Sequence, residues 1–335
     1  MYMGRYSRQT LFKHIGVDGQ RAITKRTVVI IGVGALGTVS AEMLARAGVK
    51  KLILVDRDYV EETNLQRQSL FTECDAVNQT PKVVAAKERI KEIRSDLAIE
   101  TYIEHCDAQL LLSIAAGADL ILDGTDNFET RLLINDVAYK LGIPWIYAAC
   151  VESTYVSSAF IPDKNTPCFR CLIPTLPTTT LTCDTAGIIA PAVHTAVSLQ
   201  ISAALKILSG GEIIKPSMTM GDLWQNEHMT IGTEALIHDE CPTCQTKEFP
   251  ELNRTTHRQF SLCGRDTVQI IDDRLTEQVV AKTLTERSIE YKETPYFIEF
   301  HYDDTRIVAF QNGRLLVHGI MDVNKGQTIV NQVFG

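Results

Sequence analysis

Between Thr27 and Cys150, short apolar runs rich in β-branched residues alternate with stretches whose apolar positions recur at helical spacing. Five runs predict strands: Val28–Gly32, Lys51–Asp56, Ile99–Glu104, Asp119–Asp123 and Pro144–Cys150. Between them, Val83, Ala86, Ile90 and Ile93 mark one face of a helix. Thr80-Pro81 opens that helix in this reading, threonine as cap and proline at the first helical position. Strands alternating with helices call for right-handed crossovers and a mostly parallel sheet. The expected fold of this half is α/β, doubly wound and Rossmann-like.

Past Cys150 the pattern loosens. Thr154–Pro162 reads as a strand, Cys168–Pro191 as a long loop, and Ala192–Leu208 as a helix ended by Gly210-Gly211. Short β-like runs follow as far as Cys241. After a polar break at Asn253–Gln259, strands are expected near Val268–Ile271, Tyr296–Tyr302 and Arg306–Phe310, with helices near Thr276–Arg287 and Ile320–Val330. The expected organisation is a nucleotide-binding domain over 1–254 and a small α+β domain over 255–335.

Composition narrows the class. With 45% hydrophobic and 22% charged residues over 335 positions, the chain is globular rather than disordered or fibrous. Its net charge of −8 disfavours a general nucleic-acid binder, which needs a basic face. The start of the chain has no secretory apolar run. The apolar stretch Gly187–Gly211 is interrupted by His194, Ser198, Gln200 and Lys206, so a buried helix is expected and no membrane span. Nine cysteines without an export signal point to metal or thiol chemistry and to a cytoplasmic protein.

Val28–Ile31 runs into Gly32-Val-Gly34-Ala35-Leu-Gly37 and then into a helical stretch. Glycines in that pattern allow a tight turn and close approach of the backbone to a phosphate, which the helix N-terminus attracts. Asp56 ends the next strand, 19 residues after Gly37, where a carboxylate can accept hydrogen bonds from a ribose. An NAD-dependent dehydrogenase would carry the same features. Thr38-Val39 follows the turn, so no P-loop lysine is present, and cations for ATP phosphates must come from elsewhere. Arg67, in Asn64-Leu-Gln-Arg67-Gln68, offers a planar fork, and Lys82 offers a point charge whose place in a first helical turn suits a neighbouring anion. The alternative for each is a solvated surface charge, and Lys82 taken alone reads as one. Asp126, in Asp123-Gly-Thr-Asp126-Asn127, is placed to hold Mg²⁺, with helix capping as the alternative.

Cys168-Phe-Arg-Cys171 and Cys241-Pro-Thr-Cys244 form two C-x₂-C hooks separated by 69 residues. Four thiolates at such spacing suit a closed tetrahedral zinc site with a structural role. Cys183 has no partner in sequence; it is either a nucleophilic thiol or an inert small residue. Cys74, Cys106, Cys150 and Cys263 read as core or incidental.

Taken with Arg5-Tyr-Ser-Arg8-Gln9, Asp56-Arg-Asp58, Pro81-Lys82, Thr125-Asp126-Asn127 and Leu181-Thr-Cys183, these pieces resemble the ubiquitin-activating-like adenylyltransferases of bacteria, the ThiF, MoeB and HesA group, over about residues 5–246. The resemblance implies Mg-ATP-dependent adenylylation of a small β-grasp sulfur carrier ending in Gly-Gly, with release of pyrophosphate and later sulfur transfer from a donor such as a cysteine desulfurase. It implies that Arg67 and Lys82 screen the phosphates, Asp126 holds magnesium, Asp56 holds the ribose, and the Gly34-Ala35 backbone meets the α-phosphate. Gly32, Gly37, Asp58, Asn64 and Asn127 complete the implied nucleotide site. Arg8 is expected to reach a partner subunit's site in a homodimer. Thiamin-type relatives use the cysteine equivalent to Cys183 covalently; molybdopterin-type relatives need only the adenylate. General likeness leans to the molybdopterin side. A tRNA-modifying dehydratase of the same superfamily is the alternative. Residues 255–335 lie outside the shared core and do not read as a sulfurtransferase domain.

Overall fold

The computed structural model describes residues 4–162, 166–173, 186–213, 215–253, 259–261 and 267–335. The chain divides into two compact units, Met1–Arg254 and Thr255–Gly335.

The first unit is built on an eight-stranded sheet of order β3-β2-β1-β4-β5-β6-β7-β8. Its strands are β1 (Thr27–Ile31), β2 (Lys51–Val55), β3 (Ala98–Tyr102), β4 (Leu120–Asp123), β5 (Trp145–Val151), β6 (Thr154–Phe160), β7 (Ser217–Asp222) and β8 (Glu227–Gly232). The first five are parallel and the last three antiparallel, so the α/β, doubly wound expectation holds. Helices are α1 (Ser7–Leu11), α2 (Gly16–Ile23), α3 (Ala35–Ala47), α4 (Glu73–Val77), α5 (Lys82–Ile93), α6 (Ala108–Ala115), α7 (Phe128–Leu141), α8 (Phe169–Leu172) and α9 (Ala190–Leu208).

Continuous apolar strands need cover on both faces, and β1 shows how. Val28 and Ile30 join one core with residues of α3, α5 and α9, while Val29 and Ile31 join the other with residues of α6 and α7. Each such buried side chain contributes about 1.5–3 kcal/mol. The polar interruptions of α9 now have reasons. His194, Ser198 and Lys206 line its exposed side, whereas Gln200 is fully buried.

Several boundaries differ from expectation. Pro81 is the cap of α5 rather than its first residue, and Lys82 opens the helix. An isolated bridge between Pro81 and Tyr59 holds the proline extended, so Thr80 has no capping role. Part of the expected loop after Cys168 is helical, as α8, and α9 begins at Ala190 with Pro191 in its first turn. Residues 174–185, and Cys183 with them, lie outside the described residues, as does Cys263.

The second unit is an antiparallel sheet of order β11-β12-β13-β14-β10-β9, comprising β9 (Gln259–Ser261), β10 (Thr267–Ile271), β11 (Tyr291–Glu293), β12 (Phe297–Tyr302), β13 (Thr305–Phe310) and β14 (Arg314–His318). Helices α10 (Glu277–Glu286) and α11 (Val323–Phe334) pack on one face, against Val268, Ile270, Phe300, Ile307 and Val317. The α+β character is as expected, while β14 had no counterpart in the sequence reading and the last helix starts three residues later.

Candidate functional site

The chain leaves β1 for one side of the sheet and returns to β4 on the other, so a crevice opens between the carboxyl ends of these neighbours. Such switch points are where open α/β sheets bind ligands. Two loops meet there. Gly32 donates its N–H to Val55 O (2.8 Å) and Gly124 donates to Ile31 O (2.7 Å). A Cβ on Gly32, which has φ +85°, would lie 2.6 Å from Gly124 O, and one on Gly37 would collide with Gly32 O. These two glycines are needed for the close fit of turn to turn. Gly34 differs: the nearest atom to a Cβ there is Gln68 Nε2, at 3.7 Å. Its space is open, beside the first N–H groups of α3, which have no intrahelical acceptor. Gly37→Ala therefore gives insoluble or strongly destabilised protein, whereas Gly34→Ala melts as the parent does and loses nucleotide-dependent activity. Thermal melts of both variants beside an activity assay check this.

Asp56 ties the turn to the end of β2. Its Oδ2 accepts from Val33 N (2.7 Å) and its Oδ1 from Asp58 N (2.8 Å). Burial pushes this carboxyl above its usual range, and Lys82 pulls in the other direction. Lys82 is nearly buried, and its Nζ lies 3.5 Å from Asp58 Oδ2. The anion that suits a lysine at the start of α5 is thus already supplied in part by Asp58. Asn64 is buried with its carbonyl accepting Glu61 N (3.1 Å), which caps the short turn carrying the Asn64–Gln68 segment. Arg67, half-buried, donates to Thr63 O (2.9 Å).

In the loop after β4, Asn127 is the cap of α7, its Oδ1 accepting Thr130 N at 2.9 Å. Asp126 is exposed and accepts from Asn127 Nδ2 (3.2 Å). The capping alternative for Asp126 falls, because its neighbour does that work. Two residues that sequence reasoning missed shape this loop. Asp123 is fully buried and accepts from Thr125 N (2.8 Å), Thr125 Oγ1 (2.6 Å) and Arg131 Nε (3.0 Å). Arg131, one turn into α7, also donates to Thr125 O (2.6 Å) and lies over the rings of Phe128 and Tyr147. Gln200 completes the frame from α9, donating to Asp123 O (2.8 Å) and accepting from Ser40 of α3 (2.8 Å).

The four cysteines come together. Cys168 Sγ is 4.0 Å from Cys171 Sγ and 3.5 Å from Cys241 Sγ; Cys171 and Cys244 are 3.5 Å apart. Tetrahedral Zn–S bonds of about 2.3 Å require sulfurs roughly 3.8 Å apart, so the donor set fits such an ion. Hydrogen bonds among the four sulfurs split their acidities, lowering the Cys171 and Cys241 thiols and raising that of Cys168. Cys74 and Cys150 lie outside this cluster, exposed and half-buried, and Cys106 is buried with its thiol pushed up by burial.

Arg8 is not brought to the turn. It stands exposed on α1, and its neighbour Gln9 donates to Ala47 O (3.0 Å) at the last residue of α3. Thirteen helical residues span about 20 Å, so the Gly34 turn lies at the opposite end of that helix.

A glycine turn at a switch point, with acids and a buried lysine around it, defines the class as a doubly wound α/β protein shaped for a phosphorylated ligand. The model of the ThiF family matches residues 6–243, and the chain belongs to that family. It is 44% identical over 336 residues to the sulfur carrier protein ThiS adenylyltransferase of Bacillus subtilis, covering 99% of each protein. Identity to the protein of the same name from Escherichia coli is 35% over 240 residues, covering 72% of this chain and 94% of that one. Identity to the molybdopterin-synthase adenylyltransferase of Salmonella typhimurium is also 35%, over 62% of this chain and 82% of the relative. A crystal structure of E. coli MccB superposes with a TM-score of 0.63 at 21% identity, over 76% of this chain and 74% of that one, a likeness of fold. Among the described residues, no helix is long and apolar enough to cross a membrane.

Proposed function

We propose that the protein uses ATP to adenylylate the C-terminal Gly-Gly carboxylate of a small β-grasp sulfur carrier of the ThiS type. The observation that carries this reading is similarity along the whole chain, residues 255–335 included, to the Bacillus subtilis ThiS adenylyltransferase. That extent favours the thiamin-type carrier over the molybdopterin-type one, against the general likeness read from sequence. The open space at Gly34 supports it, since backbone N–H groups there can meet an α-phosphate.

In this reading the carrier's carboxylate oxygen attacks the α-phosphorus, the bond to the β-phosphate oxygen breaks, and pyrophosphate leaves. Two anions must approach, and Arg67 and Lys82 offset their charge. Gly32, Gly34, Ala35 and Gly37 form the cradle, Asp56 faces the ribose, and Asp58, Asn64 and Asn127 hold the surrounding turns. Asp126 would hold magnesium, which when bound would supply charge stabilisation for the departing pyrophosphate. Arg8, at the far end of α3 from its own turn, serves the site of a second copy in a homodimer. An Arg8→Ala chain lacking activity, mixed with an inactive Asp126→Ala chain, should recover part of the parental exchange rate; no recovery in a dimeric mixture opposes the shared site. The adenylate then takes sulfur from a donor such as a cysteine desulfurase. Whether Cys183 bonds to the carrier is read by intact mass of the reaction mixture beside Cys183→Ala.

The cysteine cluster holds structural zinc in this reading. Elemental analysis should give one zinc per chain in the parent and none in Cys241→Ser, whose melting temperature falls; equal metal content in both would oppose it.

A further inference from the structure

The sulfur donors come from two hooks far apart in sequence, yet one buried carboxylate ties the intervening residues of both hooks to a single helix. Asp136 of α7 is fully buried. Its Oδ1 accepts the hydroxyl of Thr243 (2.5 Å), and Thr243 lies inside the second hook, between Cys241 and Cys244. Its Oδ2 accepts Glu251 N (2.8 Å) and lies 3.6 Å from Arg170 Nη2. Arg170 lies inside the first hook, between Cys168 and Cys171. The hooks are also joined directly, since Arg170 Nε donates to Thr243 Oγ1 (3.2 Å), and Arg170 Nη2 pairs with Glu251 Oε1 (3.1 Å). One residue earlier on the helix, Asn135 Oδ1 accepts Phe169 N (3.0 Å), again within the first hook.

Burying a carboxylate is costly unless its lone pairs are filled, and here they are filled by one group from each hook and by the Glu251 N–H. Bringing four thiolates to within 4.8 Å of one another is opposed by their mutual repulsion. A frame that fixes the backbone of each hook lowers the reorganisation needed to receive a cation. We propose that Asp136 is a positioning residue that sets the two hooks in register for the metal, acting through Thr243 and Arg170. This rests on the zinc reading given above.

The test is the rate at which the full-length, zinc-loaded protein gives up its metal to excess 4-(2-pyridylazo)resorcinol, followed by colour. Thr243→Val keeps the shape and removes the hydroxyl; Thr243→Ser keeps the hydroxyl. Asp136→Asn removes the charge. Outer partners of metal ligands are typically worth about 10–100-fold in affinity. Release should be faster by about that factor in Thr243→Val and Asp136→Asn, and parental in Thr243→Ser. If Asp136→Asn fails to fold, the valine–serine pair still decides. Parental release from Thr243→Val, or equally fast release from Thr243→Ser, overturns the proposal. Parent protein purified without zinc overturns the metal reading beneath it, and metal content measured before the assay separates the two failures.

Discussion

Asp126→Ala abolishes carrier-dependent ATP–pyrophosphate exchange while leaving the protein folded. The expected loss is about 10²–10³-fold, the scale on which one lost electrostatic contact to developing charge is felt. Most substitutions with such an effect act through the fold, but the local geometry here separates the two. Asp126 is exposed, and the cap of α7 is its neighbour Asn127. Melting should therefore move by no more than about 0.5 kcal/mol. Raised magnesium should not restore the rate. Exchange within threefold of the parent would remove Asp126 from the metal-holding role.

Arg131→Met should have the largest effect on stability. The guanidinium is the partner of a carboxylate with no exposure, and breaking such a pair costs about 3–5 kcal/mol because the remaining charge is stranded. For a unit of this size that is a fall of roughly 6–20 °C in melting temperature. The deficit should depend on pH in a definite direction. Burial already raises the Asp123 carboxyl above its ordinary value, and Arg131 opposes the rise. Without Arg131 the folded state takes up a proton more readily than the unfolded chain. The variant therefore recovers stability relative to the parent as pH falls through the raised value, and the gap is widest at neutral pH and above. Melts at pH 5, 6 and 7.5 read this directly, and a gap that widened toward pH 5 would contradict it. Thr125 also hangs on this pair, so the loop holding Asp126 should lose its setting and exchange should fall with it.

Sequence reading recovered what is carried locally. A strand entering Gly32-x-Gly34-x-x-Gly37 is contiguous, and two hooks announce themselves by spacing. The start of α5 was misread because Thr-Pro is an ordinary helix opening, and the bridge from Tyr59 that holds Pro81 extended lies 22 residues away. Gln200 looked like a polar interruption of an apolar helix; its partners Ser40 and Asp123 are visible only once the sheet is assembled. Asp136 and Arg131 left no signal for the same reason, since a charge inside α7 reads as solvent-facing until the burial of that helix is known. Strands β7 and β8 were blurred because neither carries a run of fully buried apolar residues.

The most direct test of the central claim is ATP–pyrophosphate exchange by the purified full-length protein. It would be run alone, with a ThiS-type carrier ending in Gly-Gly, and with the same carrier lacking its last glycine. Exchange that requires the intact carrier and magnesium, and disappears in Asp126→Ala, is the predicted result. A folded, zinc-containing protein that binds ATP but exchanges with no Gly-Gly carrier would contradict the account.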